Sequence, residues 1–329
     1  MREPIHQYKH IQRLRSGTNA MCKRAGVAPL PIRIAASQEP QAPHDLILRR
    51  ENGGITGLIN PGWRGYRQAI YCERVAPYAY WFSQTPDTVR QITADMSDGN
   101  KLSSAQYRFA ITSDLYTALP DSHFFRDRGY AKTDKFAESQ ALDWEARSDD
   151  IIWRGAPNGT GVFSLDPKLI DNPSTAQRIR MALKCKALGV DFRFLYDPTQ
   201  PFCNILRTAE LTGAPIDRHQ WGSMKYAVDI DGYSNAWCNF MQRLKLGCCV
   251  LKVNSPGGFY QWYYHKLKPW EHYVPIKADL SDLGDQIDWV RSYPNKAKEI
   301  AADGQALAKT LTFESESAEA ARLITERET

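Results

Sequence analysis

Three times in its second half this chain runs from a short apolar segment through a turn into a helical stretch. Strand, turn, helix and strand in succession make a βαβ unit, and repeated units require a parallel sheet covered by helices. In the first round, Ile151-Ile152-Trp153 stops at Arg154-Gly155 and a loop carries Asn158-Gly159-Thr160-Gly161. A helix is expected from Ser174 as N-cap through Ile179, Leu183 and Leu188 to Gly189 as the residue past its end. Val190 to Tyr196 then alternates at period two, as a strand does. In the second round, Tyr226-Ala-Val-Asp-Ile ends at Asp231-Gly232, Ser234 can cap a helix from Ala236 to Leu246, and Gly247 closes it before the apolar run from Cys248 to Val253. The third has Tyr273-Val-Pro-Ile, a cap region Asp279-Leu-Ser281 and a helix through Leu283, Ile287 and Val290. From Asn295 onward the tail reads as helical. This half is Rossmann-like.

The first half is less regular. Residues 1–25 read as a basic helix, Ala28 to Pro43 as a Pro-rich stretch, and Gly53–Gly65 as loop and turns. Ala76–Phe82 and Tyr107–Ile111 are short apolar runs of a length suited to buried strands. With 329 residues, more than one core usually serves, the chain is expected to form two domains, 1–149 and 150–329.

Hydrophobic residues at 43% and charged residues at 24% indicate a soluble globular protein. The net charge of +5 is mild. Lys and Arg are spread along the chain, in local groups such as Arg13 with Arg15 and Lys266 with Lys268. A dedicated nucleic-acid binder would gather them on one face or tail. A solvated surface, a basic cleft for a diphosphate and a weak attraction to anionic lipid all remain open. The seven cysteines (Cys22, Cys72, Cys185, Cys203, Cys238, Cys248 and Cys249) are odd in number and scattered. They match neither a disulfide framework nor a zinc pattern, so reduced thiols in a reducing compartment are expected. With no apolar leader and no window of roughly 18 apolar residues, a cytoplasmic protein with at most peripheral membrane association is expected.

In open parallel sheets, ligands bind beyond the carboxyl ends of the strands. There the sequence puts Arg154-Gly155, Asp231-Gly232-Tyr-Ser234-Asn235 and Lys252. Glycines admit a phosphate to the backbone, Arg offers a two-pronged contact and Lys a point charge. Neither GxGxxG nor GxxxxGK[ST] occurs, which counts against dinucleotide oxidoreductases and P-loop enzymes.

The run from Lys225-Tyr226 through Asp229-Ile-Asp231-Gly232-Tyr-Ser234-Asn235-Ala-Trp237 to Leu251-Lys252 resembles glycosyltransferase family 90. So do Gln261-Trp262-Tyr263-Tyr264, Leu267-Lys-Pro269-Trp270-Glu-His272-Tyr273-Val-Pro275, Asp279-Leu-Ser-Asp-Leu283 and Trp153-Arg154-Gly155. The Ser-Asn-Ala-Trp variant is similar to the bacterial lipopolysaccharide-type members. The resemblance implies an α/β protein of the GT-B type, two Rossmann-like domains facing a cleft, with 1–149 on the acceptor side and 150–329 binding the donor. It also implies a UDP-sugar donor, no metal cofactor, inversion at the anomeric carbon, and a lipopolysaccharide or related glycan or glycolipid acceptor met at the cytoplasmic face of the inner membrane. Carried over by position, Arg154, Gly155 and Arg178 face the diphosphate, and Lys225, Tyr226, Asp231, Gly232 and Ser234 shape the nucleotide pocket beside Asn235, Trp237 and Lys252. There are two departures from the family: Ala156 stands where Ser is frequent, and Trp237 and Asn239 stand near where eukaryotic members place an Arg.

An inverting transfer needs a base for the acceptor hydroxyl. In the family it is an Asp after an apolar strand of the N-terminal domain, which points to Asp114 after Arg108-Phe-Ala-Ile-Thr-Ser, with Asp121 and Asp143 in reserve. Asp114 is equally placed to cap the segment from Leu115. The aromatics Trp262, Tyr263, Tyr264 and Trp270 read as core more than as a sugar platform, His272 as a buried hydrogen-bonding residue, and Cys248-Cys249 as small hydrophobes. Two rivals stand beside this reading. A metal-dependent GT-A-like transferase would use Asp229 and Asp231 as cation ligands, and a non-catalytic nucleotide- or sugar-binding protein would have lost the chemistry. Nucleic acid is not an expected partner.

Overall fold

Glycine and hairpin geometry decide the first of two sheets. In the computed structural model, which describes residues 3–39, 41–51, 53–60, 73–200, 202–217 and 219–329, helix α1 (Glu3–Ala25) precedes β1 (Ile32–Ala36), β2 (Asp45–Glu51) and β3 (Gly54–Ile59). Glu51 pairs with Gly54, so β2 and β3 form a tight hairpin, with Gly53 at φ +75, a conformation that suits such turns. Gly53–Gly65, expected as loop, is therefore strand as far as Ile59, and residues 61–72 lie outside the described residues. The glycines belong in the strand for a packing reason. A Cβ on Gly57 would come 2.9 Å from Cδ1 of Ile34, and one on Gly54 would come 2.9 Å from the Pro31 carbonyl.

The segment Ala76–Phe82 is a helix, α2 (Val75–Ser83), and not the expected strand. A short run that is apolar on every side has no period to read, and here Tyr78, Trp81 and Phe82 are all fully buried. Strand β4 (Gln91–Asp95) follows, then β5 (Tyr107–Arg108), β6 (Thr117–Ala118) and α3 (Ser122–Arg126). Of the expected strand Tyr107–Ile111 only its first two residues are ladder, while Ile111 makes an isolated bridge to Tyr260. The sheet order is β1-β3-β2-β4-β5-β6, and β2 is antiparallel to both its neighbours. This sheet is mixed, which corrects the expectation of two Rossmann-like domains: the β2–β3 hairpin replaces one crossover helix.

The second sheet follows the βαβ reading closely. After α4 (Ala131–Ser139) come β7 (Ser148–Gly155), α5 (Gln177–Ala187), β8 (Asp191–Leu195), α6 (Cys203–Thr208), β9 (Thr212–Gly213), β10 (Met224–Asp229), α7 (Asn239–Lys245), β11 (Cys249–Val253), β12 (Val274–Ile276), α8 (Leu283–Ser292) and α9 (Pro294–Thr310). The order is β12-β11-β10-β7-β8-β9, with every pair parallel. Gly189 at φ +66 and Gly247 at φ +72 end their helices as expected. The N-termini differ. Helix α5 starts at Gln177 without a side-chain cap, and the Ser174 carbonyl instead accepts from the Val162 amide at 2.7 Å. Ser234 does not cap α7, whose N-cap residue is Cys238. The core includes Ile151, Trp153, Ile179, Phe192, Val228, Leu251 and Ile287, and Cys248 and Cys249 are fully buried.

The chain closes with α10 (Phe313–Glu328), started by a capping box between Thr312 and Ser315. Contacts divide the chain into one unit of Met1–Ala131, Tyr260–Tyr264 and Leu311–Thr329, and another of Lys132–Phe259 and His265–Thr310. The division places residues 132–149 with the second sheet, and α10 with the first, where Phe313 packs 5.7 Å from the Trp81 ring and 5.8 Å from that of Phe125. Among the described residues no helix is long and apolar enough to cross a membrane.

Candidate functional site

From β7 the chain winds outward through β8 to β9, then returns to the other side of β7 and winds outward again through β10, β11 and β12. The carboxyl ends of β7 and β10 are therefore the point where the winding reverses, the place where open α/β sheets form a ligand crevice. Arg178, in the first turn of α5, ties these two ends together. Its Nε donates to the Asp231 carbonyl at 2.8 Å, Nη2 to the Ile230 carbonyl at 2.9 Å, and Nη1 to the Ala156 carbonyl at 2.9 Å and to Oδ1 of Asn158. Burial lowers its pKa to about 10, against the pull of Asp229 and Asp231. Gly232 fits under this clamp because a Cβ there would lie 2.9 Å from Asn158 Oδ1. Gly155 has a similar steric cause: a Cβ would lie 2.4 Å from the Trp153 indole, which stacks on Phe192 at 4.0 Å.

One step along, Asp229 and Lys252 are paired positions on β10 and β11. Lys252 Nζ lies 3.0 Å from Asp229 Oδ2 and 3.0 Å from Asp231 Oδ1. All three side chains are almost wholly buried. Burial raises the Asp231 pKa, opposed chiefly by Lys252. The Lys252 ammonium is held protonated by the two carboxylates, which outweigh its desolvation.

The surrounding groups are unusually short of partners. Among the described residues, no hydrogen-bond partner meets Gln177 Oε1, Asp229 Oδ1, Ser234 Oγ, or either amide atom of Asn235. Buried polar atoms are nearly always satisfied, so this concentration marks a place built for something else. Acceptors predominate in it. Gln177 itself donates to the Asn254 and Ala278 carbonyls at 3.0 and 2.9 Å, joining α5 to the loops after β11 and β12. Sequence reading missed Gln177, although its place just before Arg178 was a usable signal. Trp237, in the loop that leads to α7, takes a left-handed φ of +54.

Three expected donor residues lie elsewhere. Arg154 is turned toward the β8–β9 edge, where Nη2 pairs with Asp191 Oδ2 at 2.7 Å and Nε donates to the Ala214 carbonyl at 3.0 Å. Lys225 pairs with Asp149 at 2.8 Å, at the amino end of the sheet. Asp149 and Arg154 are five residues apart on β7, roughly 16 Å at about 3.3 Å per residue. Arg154 and Lys225 therefore do not share a cavity, which corrects the pocket drawn from the sequence. Tyr226 is buried, with its hydroxyl donating to the Val290 carbonyl at 3.2 Å. Beside Arg154, a cavity of about 560 Å³ opens beyond β8 and β9, lined by Leu195, Tyr196, Arg207, Thr212, Gly213 and Pro215.

In the first unit, Asp114 is exposed and accepts the Tyr260 hydroxyl; desolvation, and after it this bond to Asp114, raises the Tyr260 pKa to about 12. Asp121 is buried and caps α3, accepting from the His123 and Phe124 amides at 2.8 and 3.1 Å. Burial acts to raise its pKa, but His123 and these amides outweigh it and hold the carboxyl below its ordinary value. Asp143 is exposed before a short 3-10 turn of the second unit. A carboxylate pair that sequence reading missed ends β4. Asp95 is buried, accepts from Ser97, and has its pKa raised by desolvation. Asp98, partly exposed, is fixed by the buried Arg74 at 2.6 Å. The Asp98-Gly99 turn after an apolar strand was the available signal. The expected hydrogen-bonding role of His272 agrees with its Nδ1 accepting the Lys268 amide at 2.9 Å. Trp262 and Tyr263 are core, whereas Trp270 is exposed.

Residues 132–317 match the model of Glycosyl transferase family 90, a span that begins where the second unit begins and covers more than half of the chain. The chain belongs to glycosyltransferase family 90. Among its relatives, protein O-glucosyltransferase 3 of Homo sapiens is 43% identical over 88 residues, 26% of this chain and 17% of that protein. Protein O-glucosyltransferase 2 of Danio rerio is 37% identical over 171 residues, 51% of this chain and 30% of that protein. Uncharacterized protein 179R of Invertebrate iridescent virus 6 is 29% identical over 186 residues, 51% of this chain and 16% of that protein. The match to this family 90 member thus spans less than a third of each of these relatives. A solved glycosyltransferase from Rickettsia africae ESF-5 aligns at a TM-score of 0.36 and 13% identity, over 64% of this chain and 56% of that one.

Proposed function

We propose that this chain transfers a sugar from a nucleotide-sugar, a UDP-sugar by its family resemblance, to an acceptor hydroxyl with inversion at the anomeric carbon. The observation that carries the reading is the set of unpartnered buried polar atoms at the carboxyl ends of β7 and β10. Carboxylate and amide oxygens accept hydrogen bonds, so they suit the hydroxyls of a ribose or a hexose and repel phosphate oxygens. The diphosphate is then assigned to backbone amides of the glycine loops at 155–161 and 231–235. The cavity beside Tyr196 and Arg207 offers the nucleobase an exposed ring and a guanidinium 5.1 Å from its centre. Assignment to the GT-B class belongs to the same proposal and draws support from the all-parallel order of the second sheet.

In the reaction, a carboxylate takes the acceptor hydroxyl proton while the oxygen bonds to the anomeric carbon, and the nucleoside diphosphate leaves with the electrons of the broken glycosidic bond. Asp114 is the base in the reading carried over from the family. The position of Asp98 favours a second candidate, because it stands just past a strand's carboxyl end with its geometry fixed by Arg74. No metal is proposed, since a protein ammonium already bridges Asp229 and Asp231, and this weighs against the GT-A-like rival. The proposed acceptor is a lipopolysaccharide or related surface glycan, met at the cytoplasmic membrane face. The names of the relatives favour a second acceptor class, a protein hydroxyl.

A thermal-denaturation screen of nucleotide-sugars, with and without chelator, tests the donor. One UDP-sugar should raise the melting temperature in both conditions, by mass action. No stabilisation by any nucleotide-sugar, or stabilisation that needs Mn²⁺, contradicts the proposal.

A further inference from the structure

An Asp-x-Asp pair at the end of a strand is an arrangement suited to a divalent cation, since hard cations prefer carboxylate oxygens. Here both carboxylates instead face one ammonium. Lys252 Nζ stands 3.0 Å from each, with its charge also 5.8 Å from the centre of the Phe240 ring. The register fixes this contact, because Asp229 and Lys252 are opposed on parallel neighbours and Asp231 follows two residues later. Two buried carboxylates close together cannot both stay ionised without a cation between them. Arg178 adds a second buried positive charge, bonded to the main-chain carbonyls of Ile230 and Asp231. The floor of the site thus carries two negative and two positive charges before any donor arrives.

We propose that Lys252 is a built-in cation: it bridges Asp229 and Asp231 and holds both carboxylates in place, as a divalent metal would, and so excludes a metal from the pair. Two features support this over a purely structural ion pair. Asp229 Oδ1 has no hydrogen-bond partner among the described residues, so the Asp229 carboxylate keeps an oxygen free while Lys252 stands 3.0 Å from the other. A pair that served stability alone would have both oxygens satisfied. The ammonium also makes the free oxygen an acceptor of fixed direction, which is what recognition of a donor hydroxyl requires. Lys252 is on this account a positioning residue. The functional consequence rests on the donor site proposed above, but the cation claim does not, and it can be read without any sugar donor.

The test is Mn²⁺ binding by the full chain, followed by loss of the free-ion electron paramagnetic resonance signal. Wild type should show no saturable site, whereas Lys252→Met should gain one saturable site per chain. Adding Asp229→Asn to Lys252→Met should remove that site. Should Lys252→Met unfold in buffer, refolding with Mn²⁺ supports the proposal, and failure to refold with it contradicts it. A folded Lys252→Met that gains no Mn²⁺ site, or a wild-type protein that already binds Mn²⁺ through Asp229, overturns it.

Discussion

Arg178 donates from Nε to the backbone carbonyl of Asp231 at 2.8 Å, so the guanidinium grips the main chain of the residue whose side chain meets Lys252. The same guanidinium reaches across to Ala156 and Asn158 on the loop after β7. Arg178 therefore sets the spacing of the two loops at the switch point. Arg178→Ala leaves buried carbonyls without donors and should cost about 3 kcal/mol of stability by denaturant unfolding. Arg178→Lys should recover less than half of that, because a point charge cannot serve three carbonyls in a plane.

Arg154 and Lys225, drawn together by sequence reading, should now behave differently from each other. Arg154→Ala breaks the Asp191 pair at the β8–β9 edge and should raise the donor KM, since the 560 Å³ cavity adjoins it. Lys225→Ala breaks a pair whose Asp149 partner is largely exposed and should change stability by less than about 1 kcal/mol. Steady-state kinetics on both variants check this, and a donor KM that responds equally to each would restore the sequence-based pocket.

Asp121 yields a prediction about pH. Its folded pKa lies below the ordinary value, so its contribution is present above the unfolded pKa, about 4, and is lost as pH falls through the lower folded value. Asp121→Ala should cost about 1 kcal/mol at pH 7 through loss of the α3 cap. The difference from wild type should shrink in acid, as followed by urea unfolding between pH 7 and 3. A difference independent of pH would show that the cap does not act through its charge.

The two base candidates separate by turnover at saturating donor. Loss of a general base lowers kcat by roughly 10²–10⁴-fold with donor affinity unchanged. Asp114→Asn and Asp98→Asn measured side by side identify which carboxylate removes the proton. If neither lowers kcat by tenfold, both assignments fail.

The second sheet was legible because burial on both faces leaves apolar strands whose ends are marked by glycine. Gly189 and Gly247 announced helix ends correctly through their need for positive φ. The first sheet was not legible. Gly54 and Gly57 look like loop residues, and only the neighbouring Ile34 and Pro31 explain why a strand needs them. Trp81 and Phe82 sit in a wholly apolar run, where no periodicity distinguishes helix from strand. Sequence position puts Arg154 and Arg178 near strand ends, but it does not say that their donors are already taken by Asp191 and by backbone carbonyls. The pairing of Lys252 with Asp229 and Asp231 likewise depends on the β10–β11 register, which only the folded sheet supplies.

The central claim is that the donor lies over the carboxyl ends of β7 and β10. Amide hydrogen exchange with and without a saturating UDP-sugar tests it most directly. Slowed exchange should concentrate in the peptides spanning residues 155–161 and 229–237. Unchanged exchange in both segments, with protection appearing elsewhere on the bound protein, would contradict the account.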